Sequence, residues 1–150
     1  MRKIASILIC AWLLVGCLPS SPLTAFGVTM TRDGPAVMFK NCPDLQRVVA
    51  VRVGEVLPDD TYVTRVSFTP PPGTQPRTLP IPGGSSEWKR LPADARKFAF
   101  SGGIYFVEAR YDEGGQVSLP FTRQDLAVGF AHTNAGNEPM PDFEARTCLG

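Results

Sequence analysis

Chain-breaking residues recur so often beyond residue 25 that long helices are excluded from the start. The 150 residues hold 14 Gly and 15 Pro, and the stretches between them are short and rich in Val, Phe, Tyr and Thr. Side chains of that kind fit a pleated, half-buried surface, while Gly, Pro, Asp and Asn supply the turns. The runs are Phe26–Thr31, Ala36–Asn41, Arg47–Gly54, Tyr62–Phe68, Phe98–Phe100, Ile104–Tyr111, Gln116–Phe121 and Leu126–Ala131. Turn clusters divide them at Asp33-Gly34-Pro35, Pro58-Asp59-Asp60, Ser101-Gly102-Gly103 and Asp112-Glu113-Gly114-Gly115. This spacing predicts an all-β chain: a single antiparallel β-sandwich, Ig-like, of about seven or eight strands.

Individual runs carry finer expectations. In Tyr62–Phe68 one face reads Tyr62, Thr64, Val66, Phe68 and the other Val63, Arg65, Ser67, the alternation of a half-buried strand. Ile104–Val107 is apolar on both faces, as a central strand is. Ile104–Tyr111 and Gln116–Phe121 predict a hairpin through a turn with two glycines. Pro120 lacks a ladder donor, which marks the second arm as a sheet edge. Residues 70–84 contain six Pro in fifteen residues and read as a stiff inter-strand loop folded over the sheet. Residues 133–141 read as loop, and Asp142–Thr147 as a last strand. Leu91–Lys97 has room for one helical turn.

The N-terminus has a different character. Arg2 and Lys3 precede Ile4–Val15, twelve residues without charge. At about 1.5 Å per residue such a helix falls well short of a hydrocarbon core of roughly 30 Å, so the segment reads as an export signal. Two cleavage sites compete. Leu23-Thr24-Ala25 suits soluble secretion but places a large Leu where a small residue is preferred. Leu14-Val15-Gly16-Cys17 resembles the lipobox of bacterial lipoprotein precursors. That resemblance implies a signal peptide over 1–16, acylation (diacylglycerol, palmitate-type chains) at Cys17, a lipid-anchored tether over 17–25 and a β-sandwich domain over 26–150. Two or three acyl chains, at about 0.8 kcal/mol per buried methylene, hold a protein stably on a membrane.

The cysteines divide by position. Cys10 lies in the signal, Cys17 takes lipid, and Cys42 and Cys148 remain as an even pair in an oxidising compartment, predicting a disulfide bond. Closing the span from 42 to 148 is worth about 4 to 5 kcal/mol at most in the chain-entropy account. Loss of Arg2 and Lys3 takes the basic residues from 15 to 13 against 14 acidic, a net of −1. Gly34–Pro43, leading into Val48–Val53, also resembles small secreted lipoproteins of high-GC Gram-positive bacteria, and the 11 Arg against 4 Lys fit a GC-rich genome. No activity comes with that likeness.

Reactive chemistry finds little footing. His132 is the one His, with Asp125 the nearest acid in sequence, and no Gly-x-Ser-x-Gly elbow accompanies it. Two Cys and one His fall short of a zinc site, and Asp59-Asp60 and Asp112-Glu113 lack the alternating pattern of a calcium loop. The near-zero charge gives no nucleic-acid footprint. The reading is therefore no enzyme, no cofactor and no metal. Binding candidates are Trp88 and Arg90, beside Lys89; Trp88 equally suits a cover over the core. Arg47, Arg52 and Arg65 suit cross-strand pairing with acids. The expected function is a membrane-anchored envelope lipoprotein on the extracytoplasmic face, a non-catalytic binding or structural module with an envelope protein partner. The alternative is a secreted or anchored accessory protein that binds a small ligand.

Overall fold

The computed structural model describes residues 26–40, 47–73, 77–81, 88–91, 100–112 and 114–145. They form ten strands: β1 (Phe26–Thr31), β2 (Gly34–Phe39), β3 (Val48–Val56), β4 (Tyr62–Thr69), β5 (Thr78–Pro80), β6 (Lys89–Leu91), β7 (Ile104–Tyr111), β8 (Gln116–Thr122), β9 (Phe130–Thr133) and β10 (Gly136–Pro139). A 3-10 turn, Arg123–Asp125, and one short helix, α1 (Met140–Ala145), complete them. Two antiparallel five-stranded sheets pack face to face, ordered β10-β9-β1-β2-β5 and β6-β4-β3-β7-β8. The expected all-β sandwich is thus observed, with β5, β6 and β10 bringing the strands to more than the seven or eight expected. No helix among the described residues is long and apolar enough to cross a membrane.

The core follows from period two. Phe26, Val28, Val37, Phe39 and Leu79 come from the first sheet. They meet Val51, Val53, Val66, Phe68, Tyr105, Val107, Leu119 and Phe121 from the second. Phe100, Tyr105 and Phe121 stack at one end, with Tyr105 4.8 Å from Phe100 and 5.8 Å from Phe121 between ring centroids. The predicted hairpin is present: β7 and β8 pair from Ile104↔Thr122 to Arg110↔Gln116. β7 lies inside its sheet between β3 and β8, with Tyr105, Phe106 and Val107 all buried, and β8 is the edge.

Both hairpins of the first sheet close on the same four-residue device, Thr-x-x-Gly. Thr31 Oγ1 donates to the Gly34 carbonyl at 2.7 Å and accepts from the Asp33 N–H at 3.2 Å. Thr133 repeats this with Gly136 at 3.0 Å and Ala135 at 3.2 Å. Each device ends in a glycine at positive φ, 113° at Gly34 and 107° at Gly136, where a side chain is strained.

Five sequence expectations are corrected. Arg65 is an extra residue: Val53 pairs with Val66 but the next residue, Gly54, pairs with Thr64. This β-bulge inverts the alternation, so Val66 and Phe68 enter the core while Tyr62 and Thr64 lie on the outer face. Residues 78–80, expected in a loop, form the edge strand β5 because Leu79 drops fully into the core. Phe39 and Ile81 donate across to Arg77 and Pro35. Pro80, at the alternate position, therefore turns its ring nitrogen away from β2 and costs the ladder nothing. The run Leu126–Ala131 is displaced to β9 at Phe130–Thr133, and the expected loop over 133–141 contains β10. Finally, Asp142–Ala145 is helical rather than a last strand. Pro141 suits a first helical turn, Asp142 faces its positive end, and the buried Phe143 docks α1 on β9 and β10. The rest of that run lies outside the described residues, as do Phe98, Ala99 and most of 91–97.

Candidate functional site

Among the described residues, a connected polar group lies where the two sheets meet along β8 and β9. β9 pairs His132 with Asn137 of β10 and with Val28 of β1. Nδ1 of His132 is 2.6 Å from the Asn137 side-chain oxygen, and Nε2 is 3.2 Å from the carbonyl oxygen of Pro120 on β8. The Asn137 amide nitrogen donates to the Asp125 carbonyl at 3.1 Å, which turns its oxygen toward the ring. The Asp125 carboxylate accepts from the Thr122 N–H at 2.6 Å and from its hydroxyl at 2.8 Å. These bonds, the N–H first and then the hydroxyl, hold its carboxyl below the usual carboxylate range, and the His132 charge adds a smaller pull.

The cluster caps a sheet edge. The Pro120 carbonyl faces away from β7, and in an antiparallel strand the nitrogen of the same residue faces that way too. Proline therefore removes an outward donor, His132 covers the outward acceptor, and Asp125 covers the outward N–H of Thr122. The partners of His132 are a carboxamide and a peptide carbonyl, neither of which is a nucleophile. The arrangement is a hydrogen-bonded clamp between sheets. Asp125 touches Thr122 and orients nothing on the ring directly, so the sequence neighbours His132 and Asp125 communicate through Asn137.

A second feature occupies the outer face of the other sheet. Phe106 lies across Gly54, where an added Cβ would sit 2.7 Å from its ring, and is only 3% exposed. Tyr62 meets that ring edge-on at 5.1 Å. Tyr62, Val56 and Ile104 form one cross-strand row, of which Tyr62 is 57% and Ile104 50% exposed. The row of Arg52 and Glu108 lies farther along, with an ion pair at 3.4 Å, and Arg65 meets Glu55 at 3.0 Å. Arg52 thus forms the acid pairing that outward β positions favour, and Arg65, the extra residue of the bulge, also pairs with an acid.

The sequence-derived candidates fall elsewhere. Trp88 is buried as part of the core, and Arg90 stands half-buried on β6 opposite Phe68. They belong to neither cluster. Cys17, Cys42 and Cys148 lie outside the described residues. Asp59 accepts from Thr61 N–H at 3.1 Å in the β3–β4 turn, and its hydrogen bonds to Thr61 lower its pKa. Asp112 accepts from the Arg47 N–H at 3.1 Å, closing the start of β3. Among the described residues no three His, Cys, Asp or Glu side chains gather as a metal site. The roles of Asn137 and the outer Tyr62, and of the Pro120 carbonyl as a partner of His132, are not read from the sequence. The signal for Tyr62 was Gly54 inside a Val-rich run, a mark of close approach.

Compared with known protein families, with curated proteins and with solved structures, the chain gives no match.

Proposed function

We propose that the chain is a lipid-anchored envelope protein, held at the extracytoplasmic face of a membrane through acylated Cys17, with a sandwich that acts as a non-catalytic binding or structural module. The observation that carries this reading is the order Arg2-Lys3, an uncharged Ile4–Val15, and Leu14-Val15-Gly16-Cys17. The start of β1 at Phe26 supports it, since only eight residues separate Cys17 from the sandwich. The occupation of both His132 nitrogens supports a structural rather than a catalytic histidine. The exposed row of Tyr62 and Ile104 favours a protein surface as partner. A Cys42–Cys148 bridge belongs to the same reading. Lys40, two residues before Cys42, places its ammonium 5.1 Å from the ring centroid of Phe143, five residues before Cys148.

Intact-mass analysis of the protein extracted from bacterial membranes tests the anchor. The expected mass is that of a chain beginning at Cys17 plus diacylglycerol, and Cys17→Ser is expected to move the protein to the soluble fraction. An unmodified chain beginning at Phe26 overturns the anchor, and alkylation of Cys42 or Cys148 without prior reduction overturns the bridge.

A further inference from the structure

We propose that His132 is a proton-operated latch between the two sheets, complete when both ring nitrogens carry hydrogen. The argument is one of counting. The ring faces two acceptors, Asn137 Oδ1 at 2.6 Å and the Pro120 carbonyl at 3.2 Å. A neutral imidazole has one N–H and leaves the other acceptor facing a lone pair, while the imidazolium donates to both. Neither partner can reverse its role. The Pro120 oxygen has no hydrogen to give, and the Asn137 amide is held by its bond to the Asp125 carbonyl.

The groups that face the ring do not compete for its proton. Asp125, on the 3-10 turn, is the charged group that acts on the ring, and its lowered pKa keeps it ionised throughout the range in which histidines titrate, about pH 5 to 8. From β8 the ring meets Pro120 and from β10 Asn137, and the register partner of His132 on β1 is Val28; none of these titrates. Glu138 pairs with Ala131 and so belongs to the opposite face of the hairpin. The latch therefore closes in acid and loses one of its two bonds as the pH rises. What it releases is the β9–β10 hairpin with α1, and what it uncovers is the outward edge of β8 at Pro120.

Amide hydrogen exchange of the intact protein at pH 5.5 and 7.5, corrected for the intrinsic pH dependence of exchange, tests this. Protection of Ala131, Thr133 and Glu138, relative to Val53 and Val107 in the other sheet, is expected to be about fivefold greater at the lower pH, the worth of one hydrogen bond. His132→Gln keeps a donor at any pH and is expected to abolish the difference. Asn137→Ala leaves a single acceptor, which the neutral ring already satisfies, so it too is expected to show none. Equal protection of the wild type at both values overturns the latch, as does a pH dependence that survives in either variant. A ring 15N spectrum at pH 5.5 that lacks two N–H groups also overturns it.

Discussion

The carbonyl oxygen of Pro120, on the edge strand of one sheet, lies 3.2 Å from Nε2 of His132 on the other. An edge strand is otherwise a template for a further strand, and here the outward donor is removed at Pro120, its carbonyl is covered by His132, and the outward N–H of Thr122 is covered by Asp125. Pro120→Val restores an outward N–H beside that carbonyl. The change is expected to alter stability by no more than about 1 kcal/mol, since no ladder bond is involved. It is expected to raise self-association, read as a concentration-dependent sedimentation coefficient.

Gly54 is required by contact rather than by backbone angle. A Cβ there would collide with the Val63 carbonyl and press on the Phe106 ring. Gly54→Ala is expected to cost about 2 to 3 kcal/mol through overpacking, measured by urea denaturation. Near-ultraviolet circular dichroism is expected to report the displaced Tyr62–Phe106 pair.

Tyr111 is buried, and its hydroxyl finds no hydrogen-bond partner among the described residues. Burial pushes its pKa up from 10.0 to about 12. Tyr111→Phe removes a desolvated hydroxyl without changing the packing, and is expected to match or exceed wild-type stability within about 1 kcal/mol. Because the folded value is raised, the stabilisation is full below the unfolded value and is lost as the pH rises from about 10 through about 12. Alkaline titration followed at 295 nm is expected to show Tyr111 ionising last. The variant is expected to lose less stability over that interval.

Asp125→Asn tests the other half of the edge cap. The carboxylate is held low by Thr122, so its stabilisation is present above the unfolded value and lost as the pH falls through the lower folded one. The group is well solvated, and the loss at neutral pH is expected to be only about 0.5 to 1 kcal/mol. Thermal melts at pH 7 and pH 3 are expected to show the difference at pH 7 and little at pH 3.

Strand positions were legible because period two and Gly-rich turns are local properties: Phe26–Thr31 and Ile104–Tyr111 form as read, residue for residue. The Thr-x-x-Gly hairpins were legible in principle, the same four positions occurring at Thr31 and Thr133. The Arg65 bulge was not. Nothing in Tyr62–Phe68 distinguishes an unbroken strand from one whose parity switches halfway, since the switch depends on what Gly54 admits on the neighbouring strand. The helix at Met140–Ala145 was misread for a related reason. Its six residues are too few to be helical alone, and they are ordered by the burial of Phe143 against the sheet.

The candidate site divides in the same way. That His132 is the one imidazole, and that Pro120 marks an edge, can be read from the chain itself. That the histidine caps that very edge, through a nitrogen twelve residues away in sequence and on the opposite sheet, is a matter of how two sheets close on one another. Alternation along a strand specifies which side chains face inward, because each residue turns the next one over. It carries no information about which edges come to lie side by side, and those contacts exist only once the whole sandwich has packed.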